Sequence, residues 1–129
     1  MYTYIKPGFF IFVLLLLANC TSNAPQNNSA WIGYRESGEA SFYAMKYQFR
    51  STASGERLNQ LAKTAAHRQL PFGTRVRVTN IRNGESVVVK INDRGPFVEG
   101  RIIDLTRSAF ASIGDTRSGL IDVEIEVLN

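Results

Sequence analysis

The chain has 129 residues and a mass of 14.4 kDa, with 15 Lys+Arg, 11 Asp+Glu, one His and one Cys. That length suits one domain, a lone Cys excludes an internal disulfide, and one Cys with one His excludes the Cys/His sets of structural zinc sites. At 44% hydrophobic and 20% charged, the composition is that of a globular protein and not of a disordered one.

Lys6 precedes an unbroken apolar run from Phe9 to Ala18. A membrane-spanning helix needs about 20 apolar residues, so this run is too short to span, and its length and basic flank are those of a signal-peptide core. Leu17-Ala18-Asn19-Cys20 resembles a bacterial lipobox, with Asn19 where Gly, Ala or Ser is usual. Residues 1–19 are thus expected to be a lipoprotein signal peptide and Cys20 the acylated first residue of the mature chain. Several acyl chains hold a protein on a membrane firmly where one does not. Thr21 to Ser29 is small, polar and Pro-broken, so 20–37 reads as a flexible tether and the folded domain as 38–129.

Within the domain, Gly38 to Ala44 is a short aromatic strand candidate. Leu58 to His67 offers one irregular or helical turn. Thr74 to Asn80 alternates Val76 and Val78 with Arg75 and Arg77, the period of a half-buried strand. Asn83-Gly84 is a strong hairpin signal, and Ser86 to Asn92 returns with Val87, Val89 and Ile91 on one face. Arg101 to Leu105 is a further strand, and Arg107 to Ile113 a short helix stopped by Gly114. Leu120 to Leu128 directs Ile121, Val123, Ile125 and Val127 inward and Asp122, Glu124 and Glu126 outward. Short strands, Gly/Pro punctuation and one or two small helices predict a compact, mainly β barrel.

Charge is uneven: Ala44 to Arg107 carries 12 basic and 5 acidic residues, whereas Ser108 onward carries one Arg and four acids. A basic body attracts nucleic acid, anionic lipid or an acidic polymer such as cell-wall glycan, and export removes nucleic acid from consideration. Asp93, in Asn92-Asp93-Arg94-Gly95-Pro96, ends the Val87-Val89-Ile91 strand on the same parity, which directs its carboxyl to a low-water environment. As a general acid it needs its pKa raised from about 3.9 toward 6–7, which burial plus a nearby carboxylate such as Glu56 can supply. The alternative is an ordinary turn residue bonded to its own backbone. His67, beside an Ala pair, is either a catalytic or a satisfied structural histidine. Phe42 and Tyr43 can stack on sugar rings or divide between core and rim. No Gly-x-Ser-x-Gly elbow, Gly-x-Gly-x-x-Gly or P-loop is present, so serine-hydrolase and nucleotide chemistry lack support.

Five stretches in order from Gly38 to Leu105 resemble the rare lipoprotein A family: Gly38-Glu-Ala-Ser-Phe-Tyr-Ala44, Thr52-Ala-Ser-Gly-Glu56, Thr64-Ala-Ala-His67 through Pro71-Phe-Gly-Thr74, Val76 to Asn80, and Val88 to Phe97 followed by Gly100 to Leu105. The resemblance implies a six-stranded double-psi β-barrel. It also implies an endolytic lytic transglycosylase that cuts peptidoglycan between N-acetylmuramic acid and N-acetylglucosamine without water, leaving a 1,6-anhydro end. The family's acid/base Asp falls on Asp93, its supporting Glu on Glu56 and its His on His67; Tyr43, Arg68 and Arg94 are read as substrate-binding residues beside them. Phe49 stands where relatives often have Gly or a small polar residue.

One carboxyl suffices for such a reaction, giving a proton to the leaving oxygen and then taking one from the C6 hydroxyl, whose intramolecular attack gains from proximity. Hydrolysing glycosidases use two. No metal or organic cofactor is called for. The implied partners are glycan strands, including peptide-stripped ones, a membrane through the lipid anchor, and cell-division or wall-synthesis proteins. The implied location is the cell envelope, on the outer membrane facing the periplasm in a cell with two membranes. A non-catalytic, expansin-like module that binds or loosens the wall is the alternative on the same barrel.

Overall fold

The structure of the protein, a computed structural model, describes residues 28–129. The leader, Cys20 and the first part of the expected tether lie outside the described residues. Six strands follow in chain order: β1 (Arg35–Phe42), β2 (Thr64–Ala66), β3 (Arg75–Asn80), β4 (Ser86–Asp93), β5 (Arg101–Leu105) and β6 (Ile121–Val127), with one helix, α1 (Arg107–Ile113), between the last two. They close into a barrel in the order β1-β5-β2-β4-β3-β6. The β1–β5 and β2–β4 pairs are parallel and the remaining four antiparallel. Closure leaves every strand among the described residues paired on both sides, so none of them offers a free edge to template another chain.

Alternation makes the strands two-faced. Val76 and Val78 of β3 and Val123, Ile125 and Val127 of β6 are buried, while Arg75 and Arg77 are exposed. On the outer face Arg77 lies opposite Glu126, and Arg35 of β1 forms ion pairs with Glu124 and Glu126. Helix α1 buries Ala109, Phe110 and Ile113, and the Phe110 ring packs 4.7 Å from that of Phe42. Burying a ring of that size contributes about 1.5–3 kcal/mol. Gly114 ends the helix in an extended conformation, its N–H bonded to the Phe110 carbonyl.

One expectation is corrected, and two are met with added detail. The folded unit begins before Gly38: β1 starts at Arg35, Gly33 and Val127 are joined by a 2.9 Å backbone bond, and Trp31 packs on the core. Arg35, Glu36 and Ser37 look tether-like because one face of this segment is polar, but β6 pairs with all three. The turn expected within Leu58 to His67 is present, the Ala62 N–H bonding the Asn59 carbonyl at 3.0 Å, and it leads into β2, three small residues buried between β4 and β5 and too short to show a period. The hairpin expected at Asn83-Gly84 joins β3 to β4 through a loop that has Gly84 at φ +76°.

Two parallel pairs carry a register shift. In β1–β5 the shift skips Ile102, whose Cγ2 would stand 2.6 Å from a Cβ on Gly38, so only Gly fits that crossing. In β2–β4 the partners of Ala65 and Ala66 are Ile91 and Asp93, so Asn92 is an extra residue in β4. Phe49 adopts φ +64°, the left-handed region that favours glycine, and its side chain is 63% exposed. In that conformation the Phe49 N–H reaches the Leu58 carbonyl, 2.8 Å away, across a reversed chain.

Candidate active site

The bulge at Asn92 decides where Asp93 points. Register partners share a face of the sheet, and an extra residue in one strand re-aims those that follow. Ile91 pairs with buried Ala65, while Asp93 pairs with Ala66 on the other face. The parity expected to carry Asp93 along with Val89 and Ile91 is therefore broken, and its half-buried carboxyl opens onto a cleft and not into the core. Ala66 has Asp104 of β5 as its partner on the other side, and Asp104 in turn faces Ser41 of β1. Ser41, Asp104, Ala66 and Asp93 thus form one row across four strands. With neighbouring strands about 4.8 Å apart, the two aspartates stand roughly 10 Å apart at Cα, separated by a single methyl group.

The cleft over this row encloses about 320 Å³ and is lined by Tyr43, Tyr47, Arg50, Ser51, Thr52, Leu58, Asp93 and Asp104. Asp93 Oδ1 accepts hydrogen bonds from the backbone N–H of Ala53 and of Arg94, both 2.9 Å, and Oδ2 accepts from the Tyr43 hydroxyl at 2.6 Å. Burial, reinforced by the bond to Asp93, pushes the Tyr43 phenol far above its ordinary pKa, so it stays a donor. The Asp104 carboxyl is raised above the usual carboxylate value by burial, with Asp93 adding to the rise and the Ser41 hydroxyl and Arg101 opposing it. Ser41 donates to Asp104 Oδ1.

The remaining expected site residues are held by other partners. Glu56 is not the second carboxyl of the cleft: its side chain, about half exposed, pairs with Lys90 at 3.0 Å. Its backbone carbonyl accepts from the Thr52 N–H and hydroxyl, and the turn so formed presents the Ala53 N–H to Asp93. His67 is buried and its ring meets no carboxylate of the cleft. Nδ1 accepts from the N–H groups of Gln69 and Leu70, which leaves Nε2–H to donate to Glu36, 2.9 Å away. The His67 backbone N–H, however, bonds to the Asp93 carbonyl at 3.2 Å. Arg94, expected at substrate, donates through Nη1 to the carbonyls of His67 and Leu70, and its guanidinium lies 4.0 Å from the Phe72 ring centre. Arg68 is exposed next to this turn.

Sequence reasoning assigned no role to Asp104, Ser41 or Gln60. Gln60 is buried; its Nε2 donates to the carbonyls of Tyr43 and Ala44 and its Oε1 accepts from the Arg107 N–H, tying the Tyr43 segment to the start of α1. The available signal for Asp104 was a carboxyl set between Ile103 and Leu105 in a short strand candidate.

A family model described as lytic transglycolase matches residues 35–125. A protein of Nostoc sp. named "Probable endolytic peptidoglycan transglycosylase RlpA" is 56% identical over 113 residues, 86% of this chain and 30% of that protein. The "Endolytic peptidoglycan transglycosylase RlpA" of Pasteurella multocida is 52% identical over 96 residues, 74% of this chain and 33% of the relative. The chain thus spans about a third of the length of these curated relatives. Among solved structures, a Streptomyces papain inhibitor superposes with a TM-score of 0.62 at 20% identity, covering 76% of this chain and 97% of its own. An apo expansin of Clavibacter michiganensis gives 0.59 at 23% identity, covering 74% and 50%. These two likenesses concern the fold, a double-psi β-barrel.

Burial lowers the His67 pKa below its ordinary value, outweighing the pull of Glu36. The unfolded chain therefore binds the proton more readily. The stability this neutral ring contributes is complete above about pH 6.5 and is lost as pH falls below it, at no more than about 1.4 kcal/mol per pH unit. Urea unfolding at pH 7.5 and 5.5 should show a drop for wild type that is smaller in His67→Asn, which keeps an acceptor for Gln69 and Leu70. Equal drops would contradict the assignment.

Proposed function

The chain belongs to the lytic transglycolase family, with a barrel of the RlpA type, and on that premise we propose that it cuts peptidoglycan glycan strands between N-acetylmuramic acid and N-acetylglucosamine, leaving 1,6-anhydro ends. The observation that carries the proposal is the placing of Asp93 in an open cleft, its two oxygens fixed by Ala53, Arg94 and Tyr43, in a domain that matches the family from 35 to 125. In this reaction the C6 hydroxyl of the muramic residue attacks its own C1 while the C1–O4 bond breaks, so no water enters. Asp93 takes the proton of that hydroxyl as the C1–O6 bond forms, and a protonated carboxyl in the cleft gives a proton to the leaving oxygen as C1–O4 breaks. Because attacking and leaving groups belong to one ring, the protein needs only to orient the sugar and move two protons, the setting in which proximity counts most. Tyr47 and Arg50, stacked 4.7 Å from ring centre to guanidinium carbon on the cleft wall, offer a face and a charge to the strand.

The location follows as part of the same proposal: Cys20 carries the lipid, and the protein works on the wall from a membrane of the envelope. The basic body favours approach to an anionic wall polymer.

Two measurements check these statements. Digestion of peptide-stripped glycan strands followed by mass spectrometry should give anhydro-ended fragments, and Asp93→Asn should lower their rate about 10²- to 10⁴-fold. Ends heavier by one water would make the enzyme a hydrolase, and glycan binding with no new ends would make the barrel a wall-loosening module. Separately, Cys20→Ala should move the protein from the membrane to the soluble fraction, and a variant that stays membrane-bound would contradict lipid anchoring.

A further inference from the structure

We infer that Asp104 is the proton donor to the leaving glycosidic oxygen, with Asp93 confined to the role of base. This rests on the transglycosylase reading above and divides its two proton transfers between the two carboxyls of the Ser41–Asp104–Ala66–Asp93 row.

The two aspartates are surrounded differently. All three groups bonded to Asp93, two backbone N–H groups and a phenol, are donors, an arrangement that matches a carboxylate, which only accepts. Among the described residues the Asp104 side chain has one hydrogen-bond partner, Ser41, on Oδ1. That hydroxyl donates, so Asp104 holds one donor where Asp93 holds three. Asp104 also lines the cleft, in reach of a ligand there. Its environment favours the uncharged form through burial, and the neighbouring Asp93 adds to that preference. Two titratable groups whose surroundings hold one ready to give and the other ready to take a proton are the usual basis for assigning acid and base.

The balance is complete without a further reactant. The Asp104 proton passes to O4 of the departing N-acetylglucosamine as C1–O4 breaks, the O6–C1 bond forms, and the O6 proton passes to Asp93. Turnover ends with Asp104 ionised and Asp93 protonated, and exchange with water in the open cleft restores the starting state.

A leaving group that departs without protonation separates the two roles. On glycan strands, Asp104→Asn should lower kcat/KM by about 10²- to 10⁴-fold, the range for loss of a general acid. On a 4-methylumbelliferyl β-glycoside of N-acetylmuramic acid the same variant should stay within about tenfold of wild type, whereas Asp93→Asn should lose both activities. Asp104→Asn should also lack the basic limb of the pH–rate profile. Glycan turnover unimpaired in Asp104→Asn, or equal loss on both substrates in folded protein, would overturn the inference alone. A wild type that produces no anhydro ends overturns the transglycosylase reading and this inference with it. Where Asp104→Asn does not fold, Ser41→Ala decides: removing a hydrogen bond that lowers the Asp104 pKa should move the basic limb to higher pH, and an unmoved limb contradicts the assignment.

Discussion

One extra residue in β4 governs this site. Without Asn92 as a bulge, the side chain after Ile91 on the cleft face would be Asn92, and Asp93 would continue the Val89–Ile91 side into the barrel. Because parallel strands hold their partners by slanted but regular bonds, skipping one residue between Ala65 and Ala66 flips everything that follows. The carboxyl that a regular strand would bury is thereby brought into line with Asp104 and Ser41. Closure of the barrel fixes the order of strands in that row, so the site is a property of the topology as much as of the residues.

Around the row, most of the family-like segments act on backbone geometry. The Thr52–Glu56 turn aims an N–H at Asp93, and Gln60 holds the carbonyls on either side of the Tyr43–Ala44 step. His67 and Arg94 hold the 67–72 turn, one through its ring nitrogens and the other through a guanidinium shared between two carbonyls and an aromatic face. Reorganising such a shell misplaces the carboxyl by fractions of an ångström, and catalysis that depends on orientation is sensitive to displacements of that size. Glu56 and His67 therefore influence Asp93 here through the chain and not by touching its oxygens.

The parts of the fold with a clear period were legible in the sequence: β3, β4 and β6 alternate, α1 ends at a glycine, and Asp93 stood out in its Gly/Pro context. What escaped has physical reasons. Thr64–Ala66 is too short and too uniformly small to show a period. A bulge leaves no mark in composition, since an Asn at this place reads equally as the start of the Gly/Pro turn that follows. The row needs Ser41, Ala66, Asp93 and Asp104 from four strands, and only the register unites them. His67 found Glu36 and Glu56 found Lys90, partners 31 and 34 residues away that no local pattern identifies. The early start of β1 was hidden because Arg35, Glu36 and Ser37 look like tether until β6 pairs with them.

The most direct test is a crystal structure of the chain with a thio-linked glycan tetrasaccharide that cannot be cut. The account predicts the glycosidic sulfur between Asp93 and Asp104, above Ala66, with the muramic C6 hydroxyl within hydrogen-bond distance of Asp93. A glycan seated away from this cleft, or one whose linkage lies beyond reach of both carboxyls, would contradict it.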